Sequence, residues 1–216
     1  TEKAGPVSAL LLRPKAARCL LVLGHGAGAG MHHPFMQATA DLLAAGGIAT
    51  FRYQFPFIEK GNRSPDSRAT LNETICSAVE TATKVAKGLP LLAGGKSMGG
   101  RITSLVAAEG RIPQVQGLVF FGFPLHAPGR PSSDRGARLA DVKVPMLFLQ
   151  GTRDKLAQLD LIKLLCRHLG KRASLHIVEG GDHSFHVLKR SGRTDEEVLE
   201  ELGETVGSWV SRFTPA

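Results

Sequence analysis

Gly95-Lys96-Ser97-Met98-Gly99 places a serine between two glycines in a G-x-S-x-G pentamer. Alone the pentamer is a weak signal, but its setting is specific. An apolar run from Leu89 to Ala93 leads straight into it, and a helical pattern from Met98 to Glu109 leaves it. A sharp strand–serine–helix turn strains the serine and lifts its Oγ clear of the sheet. Small residues on both sides avoid a clash across that turn. The helix N-terminus beyond adds positive potential where negative charge would develop. A serine hydroxyl is a poor nucleophile until a histidine takes its proton and a carboxylate orients the histidine. Two later blocks supply those groups. Gly151-Thr152-Arg153-Asp154 follows the apolar strand Val144 to Gln150, and Gly180-Gly181-Asp182-His183 follows Ser174 to Val178. Whole strand–helix units separate Ser97, Asp154 and His183, so all three return to one edge of a sheet. Serine, acid, histidine is one of the orders such triads take along a chain.

Two other glycine motifs compete. Gly24-x-Gly26-x-x-Ala29 follows a strand and precedes a helix, like a loose dinucleotide fingerprint. That chemistry needs an acidic residue at the end of the next strand, where only Arg52 stands. Gly95-Lys96-Ser97 imitates the end of a P-loop, but the required earlier glycine is Pro90. Both readings are rejected. Among the other histidines, His186 could face the same site as His183, His25 supports the turn after Gly24, and His126 could line the site from a long loop. His32-His33 reads as a polar loop and helix start rather than a metal pair. Tyr53, Phe55, Pro56 and Phe57 form one apolar wall after a strand, and Phe121, Phe123 and Pro124 another. Core packing and pocket lining are even readings of both. Arg52, Lys96, Arg101, Arg153 and Lys155 lie near these loops in sequence, either attracting an anionic substrate or belonging to a solvated surface.

The elements that must position these residues alternate. Strands are expected at Val7 to Leu12, Cys19 to Leu23, Ile48 to Tyr53, Leu89 to Ala93, Val115 to Phe121, Val144 to Gln150 and Ser174 to Val178. Helices are expected at Pro34 to Ala45, Leu71 to Lys87, Met98 to Glu109 and Leu156 to Leu169. A last helix opens with a capping box, Thr194 with Glu197, and carries the stripe Val198, Leu202, Val206, Trp209, Val210 and Phe213. Continuously apolar strands separated by helices mean a mostly parallel sheet covered on both faces, with ligands beyond the strands' carboxyl ends. Two loops are long, Gln54 to Ala69 and Pro124 to Val142, and either could cover the site.

The 216 residues suit one domain, 1–216, of ordinary globular composition: 43% hydrophobic and 21% charged. Disorder of the whole chain is excluded. No apolar run approaches the length of a membrane span, and no basic-then-apolar leader is visible. Three scattered cysteines, Cys19, Cys76 and Cys166, form no zinc or disulfide pattern, so a reducing cytoplasm is expected. The net charge of +8 is dispersed, so neither nucleic acid nor a membrane is expected as partner. A monomer and a homodimer both remain open.

The chain resembles a small α/β-hydrolase. It is similar to the dienelactone-hydrolase-like group and, more closely, to the KANL/Tex-like hydrolases. Leu23-Gly-His-Gly-Ala-Gly-Ala29, Arg52-Tyr-Gln-Phe-Pro56, Gly94-Gly-Lys-Ser-Met-Gly-Gly100, Gly151-Thr-Arg-Asp154 and Asp182-His-Ser-Phe185 carry the resemblance. It implies a triad of Ser97, His183 and Asp154. It also implies an oxyanion hole from the backbone N–H of Met98 and one from the His25-Gly26-Ala27-Gly28 turn, with Ala27 preferred and Gly28 in reserve. No long insertion follows Val119 to Gly122, so no cap domain is expected. The serine departs from the cysteine of true dienelactone hydrolases, so their particular substrate is not carried over. The expected activity is hydrolysis of a small ester or thioester, an anionic ester included, through an acyl-enzyme, with no cofactor and no metal. An interaction protein that kept the fold, or a small peptidase, are the alternatives. His25, Gly28, Phe55, Phe57, Phe123 and His126 are the expected pocket.

Overall fold

The computed structural model describes Thr1 and residues 5–213. In chain order the main elements are β1 (Ala9–Leu12), β2 (Cys19–Gly24), α1 (Pro34–Ala45), β3 (Ile48–Tyr53), α2 (Pro56–Glu59), α3 (Arg68–Ala86), β4 (Leu91–Lys96), α4 (Met98–Ala108), β5 (Gly117–Phe121), β6 (Met146–Gly151), α5 (Leu159–Leu169), β7 (Ala173–Val178) and α6 (Asp195–Val210). Seven strands form one sheet in the order β1-β3-β2-β4-β5-β6-β7. Among the described residues only β1 runs antiparallel to its neighbour, and the other five pairings are parallel.

Alternate residues along each central strand feed opposite faces. Leu20 and Val22 of β2, and Leu118 and Phe120 of β5, join a core with α3, α4 and α5. Cys19, Leu21 and Leu23, with Val119 and Phe121, join a second core with α1 and α6. Both faces of β2, β4, β5 and β6 are therefore buried, which is why these strands read as unbroken apolar runs. The stripe on α6 enters the second core through Val198, Leu202, Val206, Trp209 and Val210, and the expected capping box is present. Among the described residues, no helix is long and apolar enough to cross a membrane.

Several boundaries differ from expectation. β4 runs on through Gly94, Gly95 and Lys96, paired with Gly24 of β2 and Phe121 of β5. The glycines read as turn, yet they are strand. α3 begins three residues early because Ser67 caps it, its Oγ accepting from the Thr70 amide. α5 begins late because the Leu156 amide is taken by Asp154 and the Gln158 amide by His126. The two long loops are partly ordered: α2 lies in residues 54–69, and a 3-10 segment, Asp134–Asp141, lies in residues 124–142.

Close approach explains the glycines around β4. A Cβ on Gly99 would stand 2.4 Å from the Gly24 carbonyl oxygen, and one on Gly95 would stand 2.3 Å from the same atom. The start of α4 therefore rests on the end of β2 with no room for a methyl. Gly99→Ala is expected to cost about 1–3 kcal/mol of stability, since the clash is with backbone that cannot swing aside. Urea unfolding measures this, and an unchanged midpoint would show that the contact yields.

Candidate active site

β4 delivers Ser97 into the turn before α4. Its backbone sits at φ 51°, ψ −114°, a region that non-glycine residues rarely occupy. Such strain costs on the order of 1–3 kcal/mol and persists only where the surroundings over-determine it. Here the Ser97 amide donates to the Phe121 carbonyl, and its own carbonyl accepts from Arg101 in the first turn of α4.

The loops after β6 and β7 bring in Asp154 and His183. His183 Nε2 lies 2.8 Å from Ser97 Oγ, and His183 Nδ1 lies 2.7 Å from Asp154 Oδ2. The three residues form one hydrogen-bonded chain. Asp154 has its side chain wholly buried. It accepts from Gln150 Nε2 at 2.5 Å on Oδ2 and from the Leu156 amide at 2.7 Å on Oδ1. Gln150 is itself buried, and its Oε1 accepts from the Phe123 amide. Nothing in the sequence marked Gln150, because a glutamine ending an apolar strand carries no motif.

Lys96 is not a surface residue. Half-buried beside Ser97, it donates from Nζ to the His183 carbonyl at 2.5 Å and lies over the rings of Phe35 and Phe185. Burial pushes its ammonium down to about 8, against the opposing pull of Asp154 and Asp182. His186 does not compete with His183. It is exposed and paired with Asp195, whose carboxylate raises its pKa. His33 caps α1 by accepting from the Phe35 amide, as a helix-start reading requires. Among the described residues no cluster of three or more His, Cys, Asp or Glu could hold a metal ion.

Two cavities meet at Ser97, with Ala27 and Leu156 also common to both. One, of about 380 Å³, lies between residues 26–29, His33, Phe35, Met36, Lys96 and His183. The other, of about 440 Å³, opens toward α3 and α4. Ala27 and Gly28 border these spaces, but five expected pocket residues do not. Phe55, Phe57 and Phe123 are buried in the first core, where their apolar area is better spent than on a wet cleft. His126 is buried and structural: its Nε2 accepts from the Gln158 amide, and its Nδ1 meets the Ala127 carbonyl. Arg52 is likewise buried and held by the Met31 carbonyl and Gln37.

His25 lines neither cavity and is fully buried, but its ring still holds the turn. Nε2 accepts from the Phe55 amide, so the ring proton sits on Nδ1 and is donated to the Gly26 carbonyl. The neutral ring thus ties the Gly26 carbonyl to the chain after β3. Burial pushes its pKa down to about 4. The unfolded chain takes up that proton near pH 6.5, so stability is full above pH 6.5 and is lost as pH falls toward 4. Wild type should lose roughly 2–3 kcal/mol more than His25→Gln over that window. Equal slopes of unfolding free energy against pH in the two proteins would contradict this.

A mostly parallel sheet without a cap domain, carrying Ser97 at a strained strand-to-helix turn, defines the α/β-hydrolase fold. The family model described as alpha/beta hydrolase domain matches residues 17–211, and the chain belongs to that family. Solved structures are similar throughout. A dienelactone hydrolase from Anabaena variabilis is 21% identical, with 97% of this chain and 93% of that one covered, at a TM-score of 0.74. An α/β serine hydrolase without lid from Xanthomonas campestris is 20% identical over 99% and 92%, at 0.76. An α/β serine hydrolase homologue from Coxiella burnetii is 19% identical over 95% and 92%, at 0.76.

Proposed function

We propose that the protein is a serine hydrolase that cleaves a small ester or thioester through an acyl-enzyme. The observation that carries this reading is the unbroken hydrogen-bonded chain from Ser97 Oγ through His183 to Asp154. Ser97 Oγ attacks the carbonyl carbon while its proton passes to His183 Nε2. His183 then protonates the leaving alcohol or thiol, and the acyl group remains on Ser97. Water, deprotonated by the same Nε2, attacks the acyl-enzyme and releases the acid. Asp154 keeps the Nδ1 proton in place and stabilises the imidazolium. The Met98 amide, first in α4, is one the helix itself leaves unsatisfied, and it is assigned to the oxyanion with the Ala27 amide.

A fluorophosphonate tests the nucleophile. Mass mapping should place a single adduct on Ser97; folded protein that forms none, or one elsewhere, would overturn the reading. Without a cap, little acyl chain is enclosed, and each methylene left in water forgoes about 0.8 kcal/mol. Acetate and butyrate esters should therefore have a higher kcat/KM than decanoate esters. A decanoate preference would mean that residues 54–69 or 124–142 close over the chain.

A further inference from the structure

We propose that the cleft formed by Arg68, Arg101 and Arg135 beside Ser97 is a subsite for a terminal anionic group, a carboxylate or a phosphate, on one arm of the ester substrate. The inference rests on the serine hydrolase reading and narrows it to a substrate class. All three arginines line the same cavity of about 440 Å³ as Ser97 and Met98. They come from three separate elements. Arg68 opens α3, Arg101 sits on the first turn of α4 and follows Ser97 by one helical turn, and Arg135 lies in the 3-10 segment. The two long loops thus each bring one arginine to the third.

The three differ in how they are held. Arg68 is paired with Glu109 at 2.9 Å, and Arg135 donates to the His126 carbonyl. Among the described residues the Arg101 guanidinium has no hydrogen bond and no ion pair. It is half-buried and feels the charges of Arg135 and Arg68, so burial and like charge both act against its ionised form. Partly desolvating an unpaired cation among its own kind is costly, and a bound anion removes that cost. Asp66 also lines the cleft, but its Oδ2 is occupied by the Phe57 amide. Guanidinium forks match carboxylate and phosphate oxygens in pairs, which favours these groups over a halide-like point charge. The cavity on the other side of Ser97 presents Phe35 and Met36 with Lys96, and Lys96 is committed to His183. The nucleophile therefore stands between a more apolar basin and a cationic one.

The test compares kcat/KM for 4-nitrophenyl butyrate and the 4-nitrophenyl half-ester of glutaric acid, in wild type, Arg101→Gln and Arg135→Gln. Glutarate and inorganic phosphate are added separately as inhibitors of butyrate hydrolysis. The half-ester should be preferred by about tenfold or more, as a charge-assisted hydrogen bond would produce. That preference should shrink in both variants and in 1 M salt, where the Debye length falls to about 3 Å. Competition by glutarate or phosphate without a half-ester preference would also support the site and place the anion on the leaving-group arm. Which of the two competes separates carboxylate from phosphate. Exposed Arg135 guards against a folding defect in the Arg101 variant. No preference and no competition, or effects untouched by either substitution, would overturn the inference while butyrate turnover left the hydrolase reading standing. Should no ester turn over and no fluorophosphonate adduct form, calorimetric titration with phosphate and glutarate still reads the arginine site alone.

Discussion

Ser97→Ala is expected to lower kcat by roughly 10³–10⁶-fold while the chain keeps its fold. The alanine removes the only atom that bonds to the acyl carbon; His183 and Asp154 then have no proton to move. Residual turnover would come from the oxyanion donors and binding alone. The backbone makes a second, separable statement. At φ 51° any residue with a Cβ is strained, and Ser97→Ala keeps the Cβ. Ser97→Gly removes it, so the glycine variant should be more stable than the alanine variant by about 1 kcal/mol, although both are inactive. Glycine's larger unfolded-state entropy works against this gain, so a measured gain would mean the strain outweighs it. The result that counts against the hydrolase assignment is an alanine variant retaining a tenth or more of wild-type kcat on a short ester. A glycine variant less stable than alanine would show that the turn is relaxed.

The fold was legible because its strands are unbroken apolar runs and its helices amphipathic, and α1 and β3 lie where the pattern placed them. The Ser97–His183–Asp154 chain was legible because each residue ends or follows a strand, and parallel strands return their ends to one edge. The elements that went astray did so for identifiable reasons. Gly94 and Gly95 look like turn residues but sit in β4, where neighbouring backbone leaves no room for a side chain. Gly24, read as a broken nucleotide motif, is where β2 meets the start of α4. Phe55, Phe57 and Phe123 follow strands, as pocket residues do, yet an aromatic residue after a strand is equally suited to the core. Periodicity in so short a segment does not choose between them. Arg68 and Arg135 lie far from Ser97 in sequence, and only the packing of α3 and the 3-10 segment against α4 brings them near. Gln150 was hidden for the same reason, its partners being set by tertiary contact with Asp154 and Phe123.

Asp154→Asn should lower kcat by about 10⁴-fold with little change in fold, and the local hydrogen bonds say why. Oδ1 accepts from the Leu156 amide, a backbone donor that cannot be reversed. An asparagine must keep its carbonyl oxygen there, which sends its NH₂ to the Oδ2 position. At that position it meets His183 Nδ1 and Gln150 Nε2. Gln150 cannot turn its amide over to accept without losing the Phe123 amide, which its Oε1 now satisfies. The NH₂ therefore donates to His183 Nδ1 and pushes the ring proton to Nε2, where it faces Ser97. In that tautomer Nε2 cannot accept the serine proton, so attack fails although the fold is kept, the new NH₂ and Gln150 Nε2 having only to move apart. Asp154→Asn should also label with fluorophosphonate far more slowly than wild type, since that reaction needs the same proton transfer. A loss of less than about tenfold in both kcat and labelling rate would mean that His183 works without Asp154. Combining Asp154→Asn with Gln150→Glu separates the tautomer from simple polarity. The second substitution restores a carboxylate close to the site, and that carboxylate can accept from the new amide NH₂. The NH₂ still donates to His183 Nδ1, so activity should stay low; recovery to the wild-type rate would contradict the tautomer argument.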